Sequence, residues 1–356
     1  MAYLTLQELA AAARRKLDRN TWDYLIGGSD TESALKRNRY GLDSWAFRPR
    51  ILNDVSEVRT ETDLFGSKLR IPVLLAPIGS IQVFNPEGAA AVAAAVRDFG
   101  VLQILSSVCL PDFEDLAVQV PGPRIYQLYL MGDRGWMDDI IARAIEAGYT
   151  GFCLTADTQV YSRRERDILK RHVPSSGRQV GVSGFSHQAS MTWDTVTHIK
   201  DKFDIPLIIK GVAVAEDAAR CAELGVDCVY VSNHGGRQLD HTRACIDALP
   251  EVVAAVEGAV PVLVDGGFMR GADVVKALCL GATAVGLGRL EAMALTADGA
   301  AGVLRMLELL ENEIQITLAL LGVRDVNDLN PSLLERVTPL VEPHALSAFP
   351  HLAEGY

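Results

Sequence analysis

The sequence predicts an α/β protein folded as a (β/α)8 barrel, the TIM-barrel architecture, preceded by an N-terminal helical segment. Three observations support this class. Eight short β-rich segments alternate with helical patterns, those segments are apolar along nearly their whole length, and the chain has 356 residues. Continuously apolar strands are typical of parallel sheets that are buried on both faces, and this length suits one barrel with insertions. An open doubly wound sheet is the alternative.

The elements follow one another in a regular order. The N-terminal region is helical up to Gly27-Gly28, and its first helix begins with a capping box at Thr5-Leu6-Gln7-Glu8. A long final helix over Val303 to Leu321 presents one apolar stripe for packing against the barrel. The eight predicted strands are Pro72–Ala76, Val101–Leu105, Arg124–Leu128, Gly151–Thr155, Pro206–Ile209, Asp227–Val231, Pro261–Val264 and Thr283–Leu287.

The connection between the fourth and fifth strands, from Asp157 to Pro206, is the longest. Its middle is rich in glycine and serine, which is typical of a loop. Two interpretations are open for it: a mobile active-site lid over residues 165–200, or a tolerated insertion. Apart from this loop, we expect residues 1–356 to form a single domain.

Composition excludes several classes of function. The chain carries 34 Lys and Arg against 45 Asp and Glu, a formal net charge of -11, which argues against binding to nucleic acid or an anionic membrane. The first 25 residues lack the apolar core of a signal peptide, and no apolar run reaches the ~18 residues of a membrane-spanning helix. Six cysteines without a C-x-x-C pair predict buried free thiols rather than a metal site. We therefore expect a soluble cytoplasmic protein.

In a barrel, functional groups collect where the strands end at the carboxyl face. Polar and small residues are unusually frequent at those points in this sequence. They are Pro77, Ile78 and Gly79 after the first strand, Ser106 after the second, Gln127 and Tyr129 at the third, Thr155 and Asp157 at the fourth, Lys210 at the fifth, Ser232, His234 and Arg237 at the sixth, Asp265 and Gly267 at the seventh, and Gly288 and Arg289 at the eighth.

Taken singly, most of these residues have ordinary structural explanations, such as a solvated cation for Lys210. Glycines after the last two strands, together with Arg289, nevertheless fit the phosphate site that barrels often build there, which implies a phosphorylated ligand or cofactor. His234 beside Arg237, across the barrel mouth from Asp157 and Arg164, supplies a base, a carboxylate to hold it and two cations for an anionic substrate.

The segment Ser232-Asn233-His234-Gly235-Gly236-Arg237-Gln238-Leu239-Asp240 resembles the signature of the FMN-dependent α-hydroxy acid oxidase and dehydrogenase family. That family includes glycolate oxidase, lactate oxidase and mandelate dehydrogenase. The similarity extends in order from Trp22-Asp23-Tyr24 to the terminal helix. It implies a homotetrameric FMN-binding barrel that oxidises an (S)-2-hydroxy acid to the 2-oxo acid and passes the electrons to O2, a quinone or another acceptor.

The resemblance also implies roles for individual residues. His234 is expected to be the base and Asp157 to stabilise its protonated form. Around the substrate, Arg164, Arg237 and Tyr24 are expected to bind the carboxylate and Tyr129 the reacting oxygen. Around FMN, the expected set is Lys210 near N1 and O2 of the ring; Pro77, Ile78, Gly79, Ser106, Gln127, Thr155 and Ser232 along the ring; Asp265 at the ribityl chain; and Gly267, Gly288 and Arg289 at the phosphate.

Three positions depart from the family pattern. Met269 stands where an arginine usually contacts the phosphate, so either Arg270 reaches round to the phosphate or Arg289 and backbone amides suffice. Gly79 stands where oxygen-using members often carry alanine, which favours another electron acceptor. Val108 replaces a large aromatic residue of glycolate oxidase and leaves room for a bulkier, aromatic or medium-chain substrate, although Tyr161 can fill part of that space.

Two other functions remain as alternatives. One is an FMN-barrel isomerase of the isopentenyl diphosphate type, which shares the flavin phosphate site but has no carboxylate clamp. The other is a protein that binds FMN without turnover. The two arginines beside His234 speak against the isomerase, and the full set of predicted catalytic side chains speaks against a purely binding role.

Overall fold

The computed structural model describes residues 3–173 and 186–354. Its N-terminal part is a helical segment followed by three short strands, which belong to two small antiparallel sheets. The predicted cap is present, because Thr5 Oγ1 accepts a hydrogen bond from the Glu8 amide (3.3 Å). The helices are α1 (Leu6–Lys16), α2 (Arg19–Ile26) and α3 (Ser33–Asp43), and the short strands are β1 (Trp45–Phe47), β2 (Thr62–Leu64) and β3 (Ser67–Leu69).

Eight parallel strands then close into a barrel, which confirms the predicted (β/α)8 fold over the open-sheet alternative. Every neighbouring pair is parallel, and Thr155 pairs with Lys210 at the carboxyl end of the sheet. In order around the closed barrel the strands are β4 (Val73–Leu75), β5 (Leu102–Ser106), β6 (Ile125–Leu128), β7 (Gly151–Thr155), β8 (Leu207–Val212), β9 (Cys228–Val231), β10 (Val262–Val264) and β11 (Ala284–Leu287).

The helices that follow these strands form the outer layer. The last one starts at Arg289, earlier than predicted, and is interrupted by non-helical backbone at Asp298 and Gly299. The last strand of the chain, β12 (Leu334–Arg336), pairs with β1. The outer helices are α4 (Gly88–Phe99), α5 (Phe113–Gln119), α6 (Arg134–Glu146), α7 (Glu165–Leu169), α8 (Trp193–Lys202), α9 (Ala215–Glu223), α10 (Cys245–Val256), α11 (Gly271–Cys279) and α12 (Arg289–Leu321).

The barrel interior is a packed core rather than a channel, so only the carboxyl face is open to a ligand. Its buried cluster includes Leu74, Ile104, Ile208 and Leu263. The β2–β3 hairpin closes the opposite end, where Leu64 and Leu69 are buried in the same cluster. A larger cluster lies between the strands and the outer helices.

Several expectations concern the surface and the loops. All six cysteines are free and buried, as predicted. Within the described ranges, no helix is long and apolar enough to span a bilayer. The predicted lid at 165–200 contains α7 and the start of α8, and its middle, residues 174–185, lies outside the described residues. Its mobility and the single-domain organisation stay predictions.

Candidate active site

A cavity at the carboxyl ends of the barrel strands brings most of the predicted site residues together. The N-terminal segment forms part of its wall through Tyr24, whose hydroxyl donates to the Gly79 carbonyl oxygen (3.2 Å). The predicted residues that line the cavity are Tyr24, Pro77, Ile78, Gly79, Val108, Tyr129, Tyr161, Arg164, Lys210, His234, Arg237, Asp265, Gly267, Gly288 and Arg289.

His234 follows β9 and faces this cavity from a backbone with φ of 58°. Left-handed backbone at a residue with a side chain costs about 1–2 kcal/mol, so the surrounding structure must hold the turn. The imidazole Nδ1 lies 3.0 Å from Asp157 Oδ1, and Nε2 lies 3.4 Å from the Tyr129 hydroxyl. An ionised carboxylate only accepts, so Nδ1 carries the proton that is donated to Asp157 and Nε2 is the free base.

The electrostatics of this pair keep a base available near neutral pH. Burial lowers the pKa of His234 below its usual value, although the attraction of Asp157 opposes the shift. Burial acts to raise the pKa of Asp157, but His234 and Lys210 outweigh it and hold that pKa below its usual value. Asp157 is therefore ionised beside a neutral imidazole that is ready to accept a proton.

Two guanidinium groups face the same cavity without a carboxylate partner among the described residues. Arg237 Nη1 donates to the carbonyl oxygens of Tyr24 (2.7 Å) and Gly27 (2.9 Å). Arg164 is 8% exposed, stacks 4.8 Å from the centre of the Tyr161 ring, and has an Nε–H without a hydrogen-bond partner in the described part of the chain. Burial and the neighbouring Arg164 lower the pKa of Arg237. An anion bound between the two would relieve this repulsion.

Lys210 forms the centre of a buried polar cluster on the cavity wall. Its Nζ donates to Ser232 Oγ (2.8 Å) and lies 3.5 Å from Asp265 Oδ2, while Ser232 Oγ donates to Asp265 Oδ1 (2.7 Å). Burial acts to lower the pKa of Lys210, but Asp265 and Asp157 outweigh it, and the pKa is raised. Lys210 is thus a buried cation at the cavity and not the solvated cation that was its ordinary structural explanation.

The residues present fit a flavin mononucleotide. Gln127 and Thr155 are fully buried at adjacent strand ends, and neither the Gln127 amide nor Thr155 Oγ1 has a partner among the described residues. Leaving such groups unpaired costs about 1–3 kcal/mol each, so they call for a ligand with donors and acceptors along its edge, as the flavin ring has.

The phosphate end of the site fits equally well. Gly266 and Gly267 have φ of 103° and 86°, a backbone that suits glycine and turns bare amides toward a ligand. Arg289 donates to the carbonyl oxygens of Gly235 (2.9 Å) and Gly27 (2.8 Å), and its Nε is unpartnered within the described ranges. Burial and the nearby Arg237 lower the pKa of Arg289 to about 9. A phosphate dianion would compensate this buried charge.

Arg270 does not join the site, which corrects the sequence-based assignment. Its guanidinium pairs with Glu313 on α12 (2.8 Å), and Nη1 donates to the Ala348 carbonyl oxygen (3.4 Å). Met269 lines the cavity instead. This leaves Arg289 and the glycine amides as the groups that would hold a phosphate, the second of the two possibilities considered for this departure.

Five other predicted residues do not line the cavity: Ser106, Gln127, Thr155 and Ser232 are buried, and Asp157 is half-buried. Asp157 and Ser232 act on it through His234 and Lys210, whereas Ser106 Oγ accepts from the Val108 amide (3.4 Å).

Sequence reasoning missed Gln188, which like the equally missed Thr158 is a buried polar residue of the wall. Its Nε2 donates to the Thr155 carbonyl oxygen (2.7 Å) and its Oε1 accepts from the Leu130 amide (2.6 Å). Gln188 lies in the long connection after the fourth strand. It was missed because we looked for functional residues only where strands end, which we call the strand-end rule. The apolar residues Leu25, Phe84 and Leu130 of the wall were missed because nothing distinguishes them from core positions.

The comparisons with known proteins agree with this site. Residues 13–336 match the family described as FMN-dependent dehydrogenase. The chain is 37% identical to glycolate oxidase 3 of Arabidopsis thaliana, over 98% of this chain and 100% of that protein. It is 38% identical to 4-hydroxymandelate oxidase of Amycolatopsis orientalis, over 92% and 96% respectively. The crystal structure of mandelate oxidase covers 95% of this chain and 100% of its own, at 37% identity and a TM-score of 0.89.

These matches extend over nearly the whole chain and confirm both the family and the FMN cofactor that the signature around His234 indicated. They favour turnover of 2-hydroxy acids over the isomerase and the non-catalytic alternatives. The chain belongs to the FMN-dependent dehydrogenase family, as an oxidase or dehydrogenase of 2-hydroxy acids.

Proposed function

We propose that this enzyme oxidises an (S)-2-hydroxy acid with an aromatic or medium-chain side chain, using His234 as the base and Arg164 and Arg237 to bind the carboxylate. One observation carries the proposal. A neutral imidazole held by Asp157 faces the same buried cavity as two guanidinium groups that have no carboxylate partner among the described residues.

The two arginines orient the substrate. Charge-assisted hydrogen bonds to a carboxylate are directional, and two guanidinium groups fix both its position and its plane. Arg237 is itself fixed by two backbone carbonyls and Arg164 by the ring of Tyr161. With the carboxylate held in this way, only one enantiomer directs its α-hydrogen at His234, and a relative named as an (S)-2-hydroxy-acid oxidase supports the S isomer.

The proton chemistry falls to His234, Asp157 and Tyr129. Oxidation of a 2-hydroxy acid releases two protons and two electrons, and the free Nε2 of His234 takes one proton while Asp157 stabilises the resulting imidazolium. Burial raises the pKa of Tyr129, so its hydroxyl stays protonated and can donate to the reacting oxygen. When bound, FMN would accept the two electrons together with the second proton.

The substrate side chain is assigned to the apolar part of the cavity wall. Phe84, Val108 and Leu130 are buried there, and the Tyr161 ring lies at the same cavity. Relatives named as 4-hydroxymandelate oxidase and mandelate oxidase support an aromatic acid. We further propose an electron acceptor other than O2, in line with glycine at position 79. The homotetramer and the cytoplasmic location stay predictions.

An anaerobic absorbance experiment tests the proposal. The FMN-loaded enzyme is mixed with glycolate, L-lactate, (S)-mandelate, (R)-mandelate and (S)-2-hydroxyoctanoate, and bleaching of the oxidised flavin is followed. We expect (S)-mandelate or (S)-2-hydroxyoctanoate to give the highest rate divided by KM, and (R)-mandelate to give none. Absence of bleaching with every S acid would refute the reaction, and a preference for glycolate would refute the substrate class. Admission of air with detection of peroxide then tests the acceptor.

Two histidine variants make a matched pair for the base. His234→Ala is expected to abolish bleaching on the timescale of the wild type. His198 pairs with Asp138 (2.8 Å) outside the cavity, so His198→Ala removes an equivalent imidazole–carboxylate contact and is expected to leave the rate unchanged. Equal rates for the two variants would remove His234 as the base.

A further inference from the structure

We propose that Asn38 on α3 is a positioning residue that holds the His234 turn and the glycine turn at Gly266-Gly267 in register with each other. The inference rests on the base role proposed for His234. Asn38 is 1% exposed and does not line the cavity, so it acts through the two turns.

Asn38 and Asn233 form a reciprocal amide pair across 195 residues of sequence. Asn38 Nδ2 donates to Asn233 Oδ1 (2.8 Å), and Asn233 Nδ2 donates to Asn38 Oδ1 (3.0 Å). Two backbone donors fix which end of each amide is the oxygen: the Cys245 amide donates to Asn38 Oδ1 (3.1 Å) and the Gly236 amide to Asn233 Oδ1 (3.0 Å). The pair therefore has one satisfied orientation.

The turn that follows Asn233 needs such support. His234, Gly235 and Gly236 have φ of 58°, 65° and 73°, three successive residues in the left-handed region. The Asn233 side chain closes this turn through the Gly236 amide. Asn38 holds the Asn233 amide from outside the turn, together with longer contacts to Thr242 Oγ1 (3.3 Å) and the Arg243 carbonyl oxygen (3.2 Å). A shift of Asn233 would move His234 relative to the cavity.

The glycine turn after β10 rests on the same residue. A Cβ atom built on Gly266 would lie 3.0 Å from Asn38 Nδ2, and one on Gly267 would lie 3.2 Å from Asn38 Cβ, so both glycines pack directly on this side chain. The next residue of the helix, Arg39, donates to the Gly267 carbonyl oxygen (3.1 Å) and pairs with the buried Asp273 (2.7 Å).

Helix α3 can hold both turns in place because its first residues are also hydrogen-bonded to the signature segment, residues 232–240. Asp240 accepts from the amides of Ala34 (2.7 Å) and Thr31 (3.0 Å), so the carboxylate caps the helix. The base and the flavin-phosphate turn follow different strands, β9 and β10, and Asn38 contacts both. Truncating the Asn38 side chain should make both turns more mobile. The contacts that hold Arg164 and Arg237 should stay intact.

The test compares Asn38→Ala with Leu42→Ala, a truncation of a fully buried apolar residue on the same helix. For Asn38→Ala we expect flavin bleaching at saturating substrate to slow about 10- to 100-fold with a smaller change in KM. The primary isotope effect with 2-deuterated substrate should be at least as large as in the wild type. The Kd of the apoprotein for FMN, measured by flavin fluorescence, should rise about 10-fold. Leu42→Ala should lower the Tm but change none of these values more than about twofold.

A bleaching rate and an FMN Kd for Asn38→Ala within twofold of the wild type would overturn the inference, as would equal losses in Leu42→Ala at an equal fall in Tm. If the alanine variant does not fold, Asn38→Asp replaces it, because it keeps the side-chain volume and the acceptor oxygen while a charged acceptor oxygen replaces the donor to Asn233. A loss of the same kind is then expected, and none would overturn the proposal. If the wild type bleaches with no acid, the proposed function fails, and the FMN Kd comparison still decides the role of Asn38.

Discussion

Replacing Asp157 by asparagine separates the charge of this residue from its geometry. The asparagine oxygen can still accept from His234 Nδ1–H at the observed 3.0 Å, so the ring keeps its orientation and its tautomer. The negative charge that stabilises the imidazolium is lost. Any slowing of the reaction then measures the electrostatic contribution of the carboxylate.

The structure sets the size of the effect. Unit charges 3.0 Å apart interact by about 5.5 kcal/mol at an effective dielectric constant of about 20. Lys210 and Arg164 oppose the imidazolium, and charge-assisted hydrogen bonds contribute about 1.5–3 kcal/mol net, so we expect a loss of about 2–4 kcal/mol. At 1.36 kcal/mol per factor of ten, this corresponds to a rate of proton removal about 30- to 900-fold lower.

The assay is anaerobic stopped-flow bleaching of the flavin at saturating (S)-mandelate, repeated across pH. Because Asp157 raises the pKa of His234, its loss lowers that pKa further, and the acid limb of the kcat/KM profile should move to lower pH. Thr158→Val is the matched control, since it removes the hydrogen bond from Thr158 Oγ1 to Asp157 (3.1 Å) but leaves the charge, and should cost less than about 13-fold. A rate for Asp157→Asn within threefold of the wild type, or an acid limb that moves upward, would refute the reasoning.

Three further predictions follow from the contacts of the cavity wall. Arg164→Met should raise the KM for (S)-mandelate about 10- to 150-fold and leave that for its uncharged amide unchanged, as steady-state kinetics can show. Lys210→Met leaves Asp265 buried without its cation, and chemical denaturation of the apoprotein should show a loss of about 3 kcal/mol; an unchanged midpoint would contradict the pairing. Val108→Phe should reduce kcat/KM for (S)-mandelate at least 10-fold relative to glycolate, and an unchanged ratio would place the substrate side chain elsewhere.

The strand-end rule could predict much of the site because it depends only on local pattern. Apolar runs followed by polar or small residues locate the carboxyl ends of strands, and closure of the barrel brings those ends together whatever the loops do. His234, Lys210 and Asp265 were found in this way. The same reasoning placed Asp157 across the barrel mouth as the carboxylate that holds His234, and the structure shows the contact at 3.0 Å.

The contacts of long side chains and the exact ends of strands could not be predicted in this way. Arg270 is next to the predicted phosphate turn, but Glu313, 43 residues away, captures its guanidinium. The fifth barrel strand was expected to end at Ile209, but β8 continues to Val212. A register shift between Lys210 and Val212, with Gly211 at φ of 112°, brings the chain close to Asp157 at this point. Bulges of this kind depend on tertiary contacts that no local pattern encodes.

The arrangement of charge in the barrel mouth explains how a protein of net charge -11 can bind two anions. Two carboxylates of the site are bound to other partners: Asp157 to His234, and Asp265 to Lys210 and Ser232. Arg237 and Arg289 are held by carbonyl oxygens, which orient a guanidinium group without neutralising it. Because both use the Gly27 carbonyl, the N-terminal segment positions the two cations together. Their charge is thereby left available for the two anions of the proposed function, the substrate carboxylate and the flavin phosphate.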